Sequence, residues 1–238
     1  MRQTQSGNFD ENHGTALTFR SLILLVGGSL CGVAAALLIL PGWLPGLDSS
    51  MEGNSPQVFW FLSRSSAGIA YFLLWLSMVA GLSITNKLAR TWPGGPKAVD
   101  LHQYLSLLGL TFALFHGGIL IGDRYIHFNL LTVLIPFSSH EYRPFWVGLG
   151  QLSTYLLGLV AFSFYIRRRI TYRVWRMIHY LSFVVFGLAL LHGIQSGTDS
   201  SQVWVNRFYW FSAGTLIFLS FYRLVTPLLK PSTRTASA

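Results

Sequence analysis

The chain has 238 residues, of which 52% are strongly apolar and 11% are charged, and its mean hydropathy is +0.48. A soluble domain carries about a quarter charged residues, so this composition excludes a disordered chain and disfavours an ordinary soluble globule. The only cysteine, Cys31, excludes an internal disulfide and any multi-cysteine metal or iron–sulfur site.

Six stretches reach the length of about 20 apolar residues that a spanning helix needs. They are residues 17–40, 58–85, 99–122, 146–166, 174–195 and 203–228. The first is too long for the apolar core of a signal peptide, and the acidic pair Asp10 and Glu11 precedes it, so we interpret it as a retained span. The sequence thus predicts an all-α integral membrane protein, a six-helix bundle over 17–229 between polar tails at 1–16 and 230–238.

The charges in the loops predict the orientation of these spans. One side of the predicted topology carries 13 of the 17 Lys and Arg residues and three of the eight carboxylates, a net charge of +10. The other side carries four basic and five acidic residues, a net charge of −1. Because Lys and Arg collect on the cytoplasmic side, both termini are predicted to be cytoplasmic, in a plasma (inner) membrane. Topology and anionic lipid account for the total charge of +9, so no nucleic-acid partner is expected.

Four of the seven histidines lie inside predicted spans, where ionisable groups are costly and indicate function. His102 and His116 lie in the third span, and His179 and His192 lie in the fifth. The spacings of 14 and 13 residues correspond to about 21 Å and 20 Å along a helix, which fits within the hydrocarbon core of about 30 Å. Both spans run in the same direction, so His102 is level with His179, and His116 with His192. Two imidazole pairs at two depths favour two stacked bis-histidine haems.

The spacing of 13 residues between His179 and His192 does not place both rings on one face of an ideal helix. On an ideal helix, 14 residues return to within about 40° of the starting face, whereas 13 leave an offset of about 140°. The fifth span is therefore expected to twist, bend or tilt, which Gly187 and Gly193 would ease.

These residues lie in segments that resemble the ferric reductase-like transmembrane domain family, which includes the membrane part of NADPH oxidases. The segments are SRSSAG at 63–68, LHQY at 101–104, FHG at 115–117, YRPFWVGLG at 142–150, WRMIH at 175–179, LHG at 191–193 and SGTD at 196–199. The resemblance covers about residues 58–225. It implies two b-type haems in a six-helix bundle, with His102 and His179 on the inner iron and His116 and His192 on the outer iron.

The family's larger members continue into a cytoplasmic flavin and nicotinamide domain, for which the sequence has no dinucleotide-binding motif. The chain is therefore similar to stand-alone bacterial members, such as the haem subunit that serves a periplasmic methionine sulfoxide reductase. FAD or FMN is expected on a separate partner. The electron donor would be a cytoplasmic flavin reductase or a membrane quinol, and the acceptor a periplasmic or extracellular protein, ferric iron, oxygen or a quinone.

Several polar residues are candidates to support the haems. Arg176, three residues before His179, or Arg173 would meet the inner propionates, and Arg64 the outer ones, although each also suits an interfacial anchor. In the outer loop, His127, His140 and Glu141 are candidate ligands for a substrate metal ion.

The sequence therefore predicts an oxidoreductase component that carries electrons across the membrane to an outer acceptor. Two alternatives remain. A transporter that uses membrane histidines would expect acidic residues deep in the spans, and the predicted spans have none. A haem-free anchor subunit would explain the hydropathy but not the four histidines.

Overall fold

The structure is a computed structural model that describes residues 19–39, 58–91, 93–123 and 126–226. These residues form α-helices and short 3₁₀ turns, and no β-strand occurs among them. The α-helices are α1 (Phe19–Ile39), α2 (Val58–Thr85), α3 (Gly95–Ile119), α4 (Leu130–Leu134), α5 (Pro144–Ile166), α6 (Tyr172–Ser196) and α7 (Val203–Val225). The predicted polar tails at 1–16 and 230–238 lie outside the described residues.

Five helices in the described part of the chain are long and apolar enough to cross a membrane: α2, α3 with the 3₁₀ turn that follows it, α5, α6 and α7. For the described residues, this confirms the predicted helical architecture with several helices able to cross a membrane. Helix α1 occupies the first predicted span but is not among these five, so the count of six spans stays a prediction. The short helix α4 was not predicted. Asn129 directly precedes it and caps it, because the Asn129 side chain accepts a hydrogen bond from the Thr132 amide.

The long helices alternate in direction. Helices α2 and α3 are antiparallel, because Ser77 near the end of α2 contacts His102 near the start of α3. Helices α5 and α6 form a second antiparallel pair, in which Ser153 donates a hydrogen bond to the Val185 carbonyl. Helix α7 runs parallel to α2, and Tyr71 and Ser212 share a buried hydrogen bond of 2.6 Å between them.

The apolar core is built from residues of all five long helices, α2, α3, α5, α6 and α7. Tyr71 packs against Phe186 and Phe208, and Val185 is fully buried beside them. Outside this core the helices expose large apolar side chains along their length, such as Phe61, Met177 and Phe218. Exposed apolar side chains are stable in lipid, so this surface agrees with a membrane location.

Because the helices alternate in direction, the charged residues are distributed unequally between the two ends of the bundle. The ends of α2, α5 and α7 and the beginnings of α3 and α6 share one end of the bundle. Most of the described cations lie there: Lys87, Arg90, Lys97, Arg167, Arg168, Arg169, Arg173, Arg176 and Arg223. The opposite end carries Arg64, Arg143, Arg207 and Asp199. The charge asymmetry used to predict the topology is therefore a property of the two ends of the folded bundle.

Candidate functional site

Helices α3 and α6 bring their four histidines together as two pairs. The ring centroids of His102 and His179 lie 6.0 Å apart, and those of His116 and His192 lie 6.2 Å apart. The planes within each pair are inclined by 77° and 66°. Helix α6 is continuously α-helical from Tyr172 to Ser196, so the 13-residue spacing is accommodated without a break in the helix.

Backbone carbonyls hold one ring nitrogen of three of these histidines. His102 Nδ1 lies 2.9 Å from the Ser77 carbonyl oxygen, and His116 Nδ1 lies 2.9 Å from that of Ser63. His192 Nδ1 lies 2.9 Å from the Trp146 carbonyl oxygen. A carbonyl can only accept a hydrogen bond, so each Nδ1 carries the proton and each Nε2 keeps its lone pair. This is the tautomer that a metal-binding histidine requires.

The geometry of each pair suits one transition-metal ion between two imidazoles. A ring nitrogen lies roughly 1 Å from its centroid and binds a metal at about 2 Å, so two opposed rings on one ion have centroids about 6 Å apart. Both observed separations match this value. The two imidazoles of a pair would bind the iron of one haem, whose porphyrin would supply the remaining ligands. The donor set therefore fits a bis-histidine haem at each pair.

Two glycines give the histidine rings their space. A Cβ on Gly81 of α2 would lie 3.2 Å from His102 Cε1. A Cβ on Gly150 of α5 would lie 2.6 Å from His192 Nδ1 and 2.7 Å from its Cγ. The second separation is shorter than side chains tolerate, so only glycine allows α5 to approach His192 this closely.

Two of the three arginines proposed from the sequence, Arg176 and Arg64, have protein partners, and the third, Arg173, is exposed. Arg176 is exposed on α6, and its Nε donates a hydrogen bond of 2.9 Å to the Tyr180 hydroxyl. Arg64 forms an ion pair with Asp199, in which its Nε lies 2.8 Å from Oδ2, and its guanidinium lies over Trp60. This ion pair ties the start of α2 to the segment between α6 and α7, one residue from Ser63.

The outer-loop residues His127, His140 and Glu141 line one cavity of about 120 Å³. Within the described ranges, no three His, Cys, Asp or Glu side chains are placed to hold a metal ion together. The loop thus collects these residues without forming a preassembled metal site.

Ser63 and Ser77 have a role that sequence reasoning missed. Each presents both its carbonyl and its hydroxyl to a histidine Nδ1, with the hydroxyl oxygen at 3.1 Å. Their spacing of 14 residues on α2 equals that of His102 and His116 on the antiparallel helix α3. That shared spacing was visible in the sequence, but it has meaning only once the two helices are known to pack together.

Replacing Ser63 with alanine is expected to lower the free energy of unfolding by about 1 kcal/mol, because one buried hydrogen bond is lost. The backbone carbonyl remains, so His116 keeps its tautomer. Chemical denaturation in detergent micelles measures the change. Ser65→Ala is the matched control, since Ser65 is exposed two residues away and should change stability by less than about 0.5 kcal/mol. Equal effects of the two variants would contradict a role for the Ser63 hydroxyl.

A second cavity, of about 400 Å³, opens at the cation-rich end of the bundle. Its polar lining residues are Arg90, Asp100, Gln103 and Arg167, and Gln103 adjoins His102 on α3. Partial burial, and next the neighbouring Arg168 guanidinium, lower the pKa of Arg167. The cavity therefore joins two guanidinium groups, a carboxylate and an amide at the end of the bundle where α3 carries His102.

Comparison with known proteins gives a match to a family model. No curated protein and no solved structure matches the chain significantly. The family model described as "Ferric reductase like transmembrane component" matches residues 66–190, just over half of the chain. This range includes His102, His116 and His179, and it ends two residues before His192. With its membrane-spanning helices and paired histidines, the chain belongs to the ferric reductase-like transmembrane component family.

Proposed function

We propose that the protein binds two b-type haems and carries electrons across the membrane. His102 and His179 would bind the inner haem, and His116 and His192 the outer one. Membership of a ferric reductase-like family supports an oxidoreductase function of the transmembrane type. The observation that carries the finer proposal is the pair of ring separations, 6.0 Å and 6.2 Å.

Bound at each pair, a haem would supply a one-electron iron couple. The chain's own residues prepare its ligands. The carbonyls of Ser63, Ser77 and Trp146 hold the Nδ1 protons, which leaves the Nε2 lone pair of each of these rings free to bind a metal. Hydrogen bonding at Nδ1 also makes an imidazole a stronger ligand.

The spacing of the two histidine pairs is consistent with an electron-transfer path across the membrane. Fourteen residues of α3 separate His102 from His116, about 21 Å along the helix axis. The hydrocarbon core is about 30 Å thick, so one pair lies towards each face. The apolar side chains around these helices exclude water from the path.

We place the electron donor at the cation-rich end, which the positive-inside rule makes cytoplasmic. With α1 as a sixth span, both termini would be cytoplasmic, and the membrane would be the plasma (inner) membrane. The donor would be a flavin reductase that holds FAD or FMN, or a membrane quinol. The cavity lined by Arg90 and Arg167 supports donor binding at this end, because it adjoins the helical turn that carries His102. The acceptor would be ferric iron or a protein on the outer face.

The test is the optical spectrum of the purified full chain, oxidised and then reduced with dithionite, with a pyridine haemochrome assay for the haem-to-protein ratio. Two low-spin b haems per chain are expected. One haem per chain would mean that one histidine pair does not bind iron. Well-folded protein without haem, after haem supplementation during expression, would overturn the proposal and favour an anchor or a transporter.

A further inference from the structure

His179 differs from the other three histidines in how its ring is held. The rings of His102, His116 and His192 each donate to a backbone carbonyl, whereas no hydrogen bond holds the His179 ring in the described part of the chain. Instead, the indole of Trp175 stacks on the imidazole, with centroids 5.3 Å apart and planes inclined by only 23°. The two residues are four apart on α6 and therefore share one helix face.

The indole of Trp175 carries a second unusual feature. Its Nε1–H is buried and has no hydrogen-bond partner among the described residues. Buried polar groups are almost always paired in native proteins, so an unpaired donor requires an explanation. Here the donor belongs to the residue that stacks on a candidate iron ligand. An acceptor supplied by a bound group at the inner pair would satisfy it.

We infer that Trp175 is a positioning and binding residue of the inner centre. The Trp175 ring positions the His179 imidazole by stacking, a role that a backbone carbonyl has for the other three histidines. The indole N–H would donate a hydrogen bond to a carboxylate of the bound haem. This inference rests on the proposed function and assigns a partner to the inner haem that differs from the exposed Arg176. Arg176 already donates to Tyr180 and lies on the surface of α6.

One consequence is a difference between the two centres. An imidazole whose Nδ1–H binds a carbonyl is a stronger iron ligand. Both outer ligands have such a bond, but only one inner ligand has it. The iron–His179 bond would therefore be the weakest of the four, and it would depend on the stacked indole. Loss of the indole should open the inner iron to an external ligand while the outer iron stays closed.

The experiment compares three variants of the full-length chain. Trp175→Phe keeps an aromatic ring beside His179 and removes the N–H, whereas Trp175→Leu removes both. Trp75→Phe is the matched control, because Trp75 also has a buried, unpaired Nε1–H but packs against Phe208 and Phe211 of α7. Two readouts are used: carbon monoxide binding to the dithionite-reduced protein, and the rate of haem transfer to excess apomyoglobin.

We expect Trp175→Phe to keep two low-spin haems and to release one of them at least threefold faster than the wild type. Trp175→Leu should bind carbon monoxide at about one of its two haems, whereas the wild type and Trp75→Phe should bind essentially none. His192→Ala keeps only the inner pair. Combined with His192→Ala, Trp175→Leu should still bind carbon monoxide, which would assign the reactive haem to the inner site.

Other outcomes overturn the inference. If Trp175→Phe releases haem at the wild-type rate, the indole N–H is not a haem-binding donor. If Trp175→Leu keeps two haems that do not bind carbon monoxide, stacking does not support His179. If Trp75→Phe behaves like Trp175→Phe, the effect is one of general packing. A wild-type chain without haem would overturn the proposed function as well, whereas two wild-type haems with unaffected Trp175 variants would overturn this inference alone.

Discussion

Replacing His116 with alanine is expected to leave one b haem per chain and to reduce electron delivery to an external ferric acceptor to background. The variant would remove one of the two proposed iron ligands of the outer pair, whose rings lie 6.2 Å apart, and His192 alone would not hold a low-spin iron. The inner pair keeps both rings, about 21 Å away along α3. The pyridine haemochrome ratio and the dithionite-reduced spectrum measure the haem content, and reduction of a membrane-impermeant ferric chelate measures electron delivery.

His127→Ala is the matched control for this variant. His127 lies in the outer loop, is exposed, and is outside both histidine pairs, so the chain should keep two haems. Loss of both haems in His116→Ala would show that the centres do not assemble independently. Retention of two haems would break the assignment of His116 to the outer iron.

The second large effect, on the affinity for the outer haem, is expected when Gly150 is replaced with alanine. Gly150→Ala places a methyl group 2.6 Å from His192 Nδ1, and this ring cannot move freely because the Trp146 carbonyl holds it. Overpacking of this kind costs about 1–3 kcal/mol. If the ring moves to relieve it, the outer pair loses its geometry, and the outer haem should bind roughly 5- to 150-fold more weakly. Haem titration of the depleted protein measures this affinity.

Gly158→Ala is the control for Gly150→Ala. It lies on the same helix, α5, and a Cβ there meets no other side chain or backbone within 4 Å. It should bind two haems with wild-type affinity. Gly81→Ala should show a smaller effect, confined to the inner haem, because its methyl group would lie 3.2 Å from the His102 ring. A Gly150→Ala chain with unchanged outer-haem affinity would show that the α5–α6 contact yields more easily than this packing argument assumes.

Much of the architecture was accessible from the sequence alone. The energy of moving a helix into lipid depends on the composition of about 20 consecutive residues, so hydropathy located α2, α3, α5, α6 and α7 within a few residues of their bounds. Chain direction then alternates by necessity, which made the levels of the four histidines predictable. The family resemblance carried by their flanking motifs is confirmed by the match over residues 66–190.

Tertiary packing decided what hydropathy could not. Which face of α2 meets α3 depends on how ridges and grooves of the two helices interlock, so the roles of Ser63 and Ser77 appeared only in the structure. The Trp146 carbonyl has no side-chain signature at all, because any residue type supplies a backbone oxygen. Likewise, Arg64 was expected to meet the outer haem propionates or to serve as an interfacial anchor, but the fold brings Asp199, 135 positions away, into an ion pair with it. Sequence therefore determined the helices, their directions and the depths of their histidines, whereas only the packed bundle decided which backbone groups and neighbouring rings hold each imidazole in place.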